Sequence, residues 1–253
     1  PALRERLDDP LFEFGRTAAM AARDDLPMLD LLIDHGADID RRSGWERGGF
    51  GILDDAPPDV AEALIARGAT VDAWSAAHLG RLDELQRLVV ADPALVDAPG
   101  GDGKRPLHFA ATVEIADFLL DRGARIDALD DDHGSTAAEH LVADRPDVAR
   151  FLVGRGARAD LLLLVALGET GRVARLLDAD PETIRRRVSR DWYPMIDTGP
   201  NGGHVYQWTL GFHASAFDVA RRFGRAETLA LLEARAPARE RWLDALWRGE
   251  VDA

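Results

Sequence analysis

Pro58-Asp59-Val60-Ala61-Glu62-Ala63-Leu64-Ile65-Ala66-Arg67-Gly68-Ala69 recurs 88 residues later as Pro146-Asp147-Val148-Ala149-Arg150-Phe151-Leu152-Val153-Gly154-Arg155-Gly156-Ala157. At the same offset Asp72 matches Asp160, Gly80 matches Gly168, and Ala91-Asp92-Pro93 matches Ala179-Asp180-Pro181. Self-similarity at a fixed offset predicts a repeat architecture, in which each unit buries its apolar face only against its neighbours. Each unit reads as a small-residue helix, a turn, and a second helix ending in an apolar pair. The pairs are Leu31-Leu32, Leu64-Ile65, Leu88-Val89, Leu119-Leu120, Phe151-Leu152, Leu176-Leu177 and Leu231-Leu232. Gly36, Gly68, Gly123 and Gly156 follow four of them, where a helix stop needs a left-handed residue. The spacing predicts second helices over 27–35, 58–67, 82–91, 113–122, 146–155, 172–179 and 226–235. It also predicts a partial eighth repeat starting at Trp242.

Within this frame Arg105-Pro106-Leu107-His108-Phe109-Ala110-Ala111 resembles the ankyrin motif Thr-Pro-Leu-His-x-Ala-Ala, with Arg in place of Thr. His35-Gly36-Ala37-Asp38-Ile39-Asp40 resembles the ankyrin turn after the second helix. Looser copies occur at Thr17-Ala18-Ala19-Met20, Thr136-Ala137-Ala138-Glu139 and Ser215-Ala216-Phe217-Asp218. The resemblance extends over nearly the whole chain. It implies an all-α ankyrin-repeat solenoid of about seven helix-turn-helix repeats with short β-turn fingers, one domain over 1–253. Its supermodules would be about 6–93, 94–181 and 210–253. A bacterial group of ankyrin proteins is also similar, sharing a Gly-Gly-Phe-Gly segment and an Asp-His-x-Ser-Thr finger. The resemblance implies a binding scaffold without naming what is bound.

Composition narrows the partner. The chain has 31 basic and 45 acidic residues, a net charge of −14, which repels phosphate backbones and argues against nucleic acid. Arg185-Arg186-Arg187 reads as a solvated helix face. No apolar run approaches a membrane span, and no signal peptide opens the chain. The absence of cysteine excludes disulfides and thiolate chemistry and suits a cytoplasmic setting. The start at Pro1 and the half repeat at the other end suggest trimmed termini.

Residues the repeat does not require are where function is expected. Between Pro181 and Ser215 the second 88-residue copy carries about 22 extra residues. Gly199-Pro200-Asn201-Gly202-Gly203 between aromatic and β-branched runs predicts a β-hairpin over about 189–209. Trp192, Tyr193, His204, Tyr206, Trp208 and His213 are its candidate binding residues, either packed on the neighbouring repeat or presented to a ligand. Gly44 to Asp55 is glycine-rich and is expected to occupy the finger and first helix of the second repeat. It reads either as a helix packed tightly on its neighbour or as a wall of a site with Trp45, Arg47, Phe50 and Asp54. Asp130-Asp131-Asp132-His133 reads as finger-turn chemistry or, with less support, as a proton-transfer group. Neither it nor Glu139-His140 has metal-ligand spacing, and no cofactor motif is present.

Two functions fit these signals. A recognition module would bind a protein or peptide, preferably basic, on its concave face, with Trp45, Phe50, Trp74, Trp192, Tyr206 and Trp208 as anchors. The alternative is a small-molecule site, or a cofactor-independent acid–base isomerase, lyase or cyclase. Its pocket would be closed by the insertion, and Asp132, His133 and Asp54 would be its catalytic candidates.

Overall fold

Helices form in every segment where an apolar pair precedes a turn. A computed structural model describes residues 6–194 and 203–250, which divide into two units, Pro1–Asp132 and His133–Ala253. The first unit contains α1 (Ala18–Ala21), α2 (Leu26–Asp34), α3 (Pro58–Ile65), α4 (Ala73–His78), α5 (Leu82–Ala91) and α6 (Val113–Asp121). The second contains α7 (Ala137–Leu141), α8 (Pro146–Gly154), α9 (Leu161–Leu167), α10 (Thr170–Ala179), α11 (Ala216–Arg222), α12 (Ala226–Arg235) and α13 (Ala238–Trp247). Among the described residues no strand forms, and one isolated antiparallel bridge pairs Arg187 with Ser215.

The internal duplication survives as geometry inside each unit. The α4–α5 pair and the α9–α10 pair each turn on a left-handed glycine, Gly80 at φ 74° and Gly168 at φ 75°. Each ends in a 3₁₀ turn, Pro93–Asp97 and Pro181–Arg185. Asp92 and Asp180 cap these turns by accepting a backbone N–H two residues on, at 3.0 and 3.1 Å. Short first helices are marginal alone, so their starts are fixed by reciprocal caps. In α7 the Thr136 N–H donates to Glu139 Oε2 at 2.7 Å; in α11 the Ser215 N–H donates to Asp218 at 2.9 Å. In the first unit Asp72 and Ser75 make the same exchange at α4. The core of each unit lies between first and second helices. Leu29, Leu64, Leu85, Ile115 and Leu119 are fully buried in one unit; Leu152 and Leu161 to Leu163 are buried in the other.

Four expectations need correction. The Pro106–Phe109 stretch is a 3₁₀ turn rather than an α-helix, closed by the Arg105 N–H on His108 Nδ1 at 3.1 Å. The Gly44–Gly51 segment contains no helix. It is a loop cinched by the Ser43 N–H on the Phe50 carbonyl and the Phe50 N–H on Ser43 Oγ, both 2.9 Å. The return arm of the insertion is a π-helix, Gln207–Gly211, not a strand. Val205, Tyr206, Thr209 and Leu210 are all buried, a helical spacing that strand alternation cannot satisfy. Residues 195–202 of the expected hairpin lie outside the described residues, and its described residues 189–194 and 203–206 form no strand. Finally, α13 begins at Ala238, ahead of Trp242. Its Glu240 is buried with Arg185 and Arg187 at 3.6 and 3.8 Å, so those arginines are paired rather than an open basic face.

The two units differ in charge. The first holds 14 basic and 28 acidic residues; the second holds 17 of each, so the whole net charge of −14 belongs to the first.

Candidate functional site

In the second unit the insertion is closed at its base by one residue. Val188 donates its N–H to the Ala214 carbonyl and accepts from the His213 N–H, both at 2.9 Å. His213 adopts φ 60°, is exposed, and meets Phe212 edge-on at 4.3 Å, away from the buried groups of the insertion. From this neck both described arms run to two capping carboxylates.

Asp160 caps α9, accepting the Leu163 N–H at 2.9 Å. It also accepts the Tyr206 hydroxyl at 3.2 Å and a shorter bond from the Tyr193 hydroxyl. Glu139 spends Oε2 on the α7 cap and turns Oε1 toward His204 Nε2, 3.8 Å away. His204 Nδ1 accepts the Tyr206 N–H at 3.3 Å, which leaves the ring hydrogen on Nε2, facing Glu139. Its ring lies against Tyr193 and Tyr206, with centroids 4.8 and 4.5 Å away. Two further bonds fix the return arm: His133 Nδ1 to the Gly203 carbonyl at 2.9 Å, and the Val205 N–H to Ser135 Oγ at 3.2 Å.

Burial governs the electrostatics. Desolvation, with the Asp160 charge nearby, raises the Glu139 carboxyl to about 7 against its Thr136 bonds. Burial, then Asp160, pushes both tyrosine hydroxyls far above their usual range, so they remain donors. Tyr193, His204 and Tyr206 are therefore internal struts. The exposed aromatic side chains between Val188 and Ala214 include Trp192, Trp208 and Phe212, 44%, 54% and 58% accessible. Trp192 lies under the Arg186 guanidinium at 5.5 Å, and Trp208 lies 5.0 Å from the His133 ring.

The first unit uses its singled-out residues differently. Trp45 Nε1 donates to Asp102 at 2.9 Å, and Trp74 Nε1 donates to the Ala98 carbonyl at 3.1 Å. A Cβ on Gly100 would meet Trp74 at 2.8 Å, and one on Gly101 would meet Phe50 at 2.4 Å. These aromatics seat the finger at 98–103. Arg47 is half-buried in the same loop. Arg42, missed in the sequence, stacks over Trp74 at 5.0 Å and bridges Asp72 and Asp54 at 2.9 and 3.3 Å. Asp54 is buried, and desolvation followed by the Asp72 charge raises it to about 7. Asp132 is buried at the end of this unit, its N–H donating to Asp130 at 3.0 Å in the Asx turn expected of a finger.

An ankyrin-repeat family model matches residues 102–131, the stretch holding the Pro106–Phe109 turn and α6. The chain carries an ankyrin repeat. No curated protein matches it significantly. Ankyrin repeats generally mediate protein–protein interactions, and among the described residues of this chain no helix is long and apolar enough to cross a membrane.

Asp54 and Glu139 give the chain a defined pH response. Both hold a proton when folded that the unfolded chain releases near pH 4, so their stabilisation is present at low pH and lost as pH rises toward 7. Each adds a slope of up to about 1.4 kcal/mol per pH unit across that window. Urea titrations of Asp54→Asn are expected to show a shallower fall between pH 5 and 7 than wild type. Parallel slopes would place the proton elsewhere.

Proposed function

We propose that this protein is a recognition module binding a basic protein segment, with the exposed aromatics of the insertion as its anchors. The supporting observation is the division of labour within the insertion. Its tyrosines and His204 are buried against Asp160 and Glu139, while Trp208 sits half-exposed on a π-helix beside His133. π-Helices concentrate at functional sites, and tryptophan supplies large, rigid contact area. Trp192 and its Arg186 partner add a second exposed contact. A partner lying on the concave face of the array would meet fingers and first helices together. The acidic field of the first unit favours a basic sequence and speeds encounter at low salt.

Peptide display on the immobilised chain, followed by titration of the enriched peptides, tests this. Trp208→Ala is expected to weaken binding at least tenfold, equivalent to about 1.4 kcal/mol, while shifting stability by less than about 1 kcal/mol because the ring is half in solvent. Enriched peptides should be basic and bind more weakly at 0.5 M salt. Undiminished binding by Trp208→Ala would remove the tryptophan from the contact surface.

A further inference from the structure

We propose that Arg186 and Trp192 form an oxyanion subsite on the outgoing arm of the insertion, taking a carboxylate or phosphate group carried by the bound partner. The partner-side consequence rests on the recognition reading above; the subsite itself rests on the geometry alone.

One guanidinium lacks an acceptor. Arg105, Arg185 and Arg186 each bury an Nε that makes no hydrogen bond. Two of these still face a carboxylate, Arg105 on Asp97 at 3.7 Å and Arg185 on Glu240 at 3.6 Å. Arg186 pairs with none among the described residues; its contact is the Trp192 ring, whose centroid lies 5.5 Å from the guanidinium carbon. The other part-buried arginines of the second unit are all answered. Arg145, Arg172 and Arg225 reach backbone carbonyls, and Arg185, Arg187 and Arg221 reach carboxylates. A half-desolvated guanidinium without a counter-charge is costly, and such an orphan in a native fold points to an ion or ligand that completes it.

The surrounding chain explains why nothing internal answers Arg186. Its backbone is extended, at φ −61° and ψ 138°, and its side chain turns to Trp192 while Arg185 and Arg187 on either side turn to Glu240. Tyr193, next to Trp192, spends its hydroxyl on Asp160, which already accepts the Leu163 N–H and the Tyr206 hydroxyl. Arg190 and Asp191, exposed side by side, cancel in charge, so Arg186 sets the sign of the site.

Chemistry selects the ligand. A guanidinium offers in-plane N–H pairs that match two oxygens of a carboxylate or phosphate, and an indole packed against it holds that plane still. Trp192 is half-exposed, so a group bound at the guanidinium edge also meets the ring. The second unit carries no net charge, so its field does not oppose an anion. The partner is then a basic segment that carries one acidic or phosphorylated residue where it crosses Trp192.

Nitrogen-15 spectra of the arginine Nε–H and tryptophan Nε1–H groups on the intact chain read the subsite without a partner. Phenyl phosphate and benzoate are the probes, each set against sodium chloride at matched ionic strength. Arg186 Nε–H and Trp192 Nε1–H are expected to shift saturably, with half-saturation at about 1–10 mM, while Arg221 stays level. Saturation by phenyl phosphate alone assigns the group to a phosphorylated side chain; saturation by benzoate as well assigns it to any acidic side chain. Arg186→Lys should weaken the Trp192 response at least tenfold. Trp192→Ala removes a half-exposed ring and should weaken the Arg186 response at least threefold. The proposal is overturned by no saturable shift up to about 50 mM of either probe, by a shift that sodium chloride reproduces, or by an undiminished Trp192 response in Arg186→Lys. Free anions need no partner, so failure here leaves the Trp208→Ala binding result standing, and failure of that result leaves the subsite standing.

Discussion

Asp160→Ala is expected to be the most damaging substitution in the second unit, lowering its stability by about 3 kcal/mol or more. Three donors converge on this carboxylate: the Leu163 N–H, the Tyr206 hydroxyl and the Tyr193 hydroxyl. Loss of the cap alone costs about 1 kcal/mol. Tyr206 is completely buried and Tyr193 nearly so, and each hydroxyl stripped of its acceptor adds about 1–3 kcal/mol. Asp160→Asn keeps a carbonyl oxygen and should recover part of the loss. Urea unfolding of Asp160→Ala, Tyr193→Phe, Tyr206→Phe and the corresponding double variants gives two double-mutant cycles. Strong non-additivity is the expected result because the partners share one acceptor. A near-wild-type midpoint for Asp160→Ala would mean that the insertion does not depend on this carboxylate.

The second large effect is at Gly48. Its φ is 105°, and a Cβ placed there would lie 2.1 Å from the Gly100 carbonyl oxygen, a backbone atom that cannot rotate away. Gly68 supplies the control, with φ 101° and open space around its missing side chain. Gly68→Ala should cost only the strain of the left-handed backbone, about 1–2 kcal/mol. Gly48→Ala should cost at least about 3 kcal/mol, because it must also push apart the 43–50 loop and the 98–103 finger. Equal losses in thermal or urea melts would show that the two segments can part freely.

The helices were legible because each rests on local signals. Pro58 and Pro146 open α3 and α8, the apolar pairs face the core, and the glycines that follow end the turns. The insertion was legible as a departure but not as a conformation. Its aromatic and β-branched residues read as strand, whereas burial at 205, 206, 209 and 210 has helical period. Its docking partners were hidden by distance. Tyr193 and Tyr206 reach an aspartate 33 and 46 residues earlier, and no local pattern announces such a pairing. Glu139 was disguised in another way. It stands where the ankyrin motif places histidine and does perform that capping task, so its second oxygen, turned toward His204, escaped notice. In the glycine-rich loop the aromatics were visible and their use was not, because only the neighbouring finger reveals what they cover.

The neck at Val188 has a consequence of another kind. One residue's pair of backbone bonds joins the outgoing and returning chain, and Ser215 then opens α11 with an ordinary cap. The repeats on either side are thus joined almost as they would be without the insertion, which is carried like a cassette on a closed hinge. Its length and sequence can change without moving that joint, provided Val188 remains and Tyr193, His204 and Tyr206 keep their seats on the two capping carboxylates. A lineage could rewrite the exposed part of this one segment, Trp192 and Trp208 included, and leave the joint between α10 and α11 as it is.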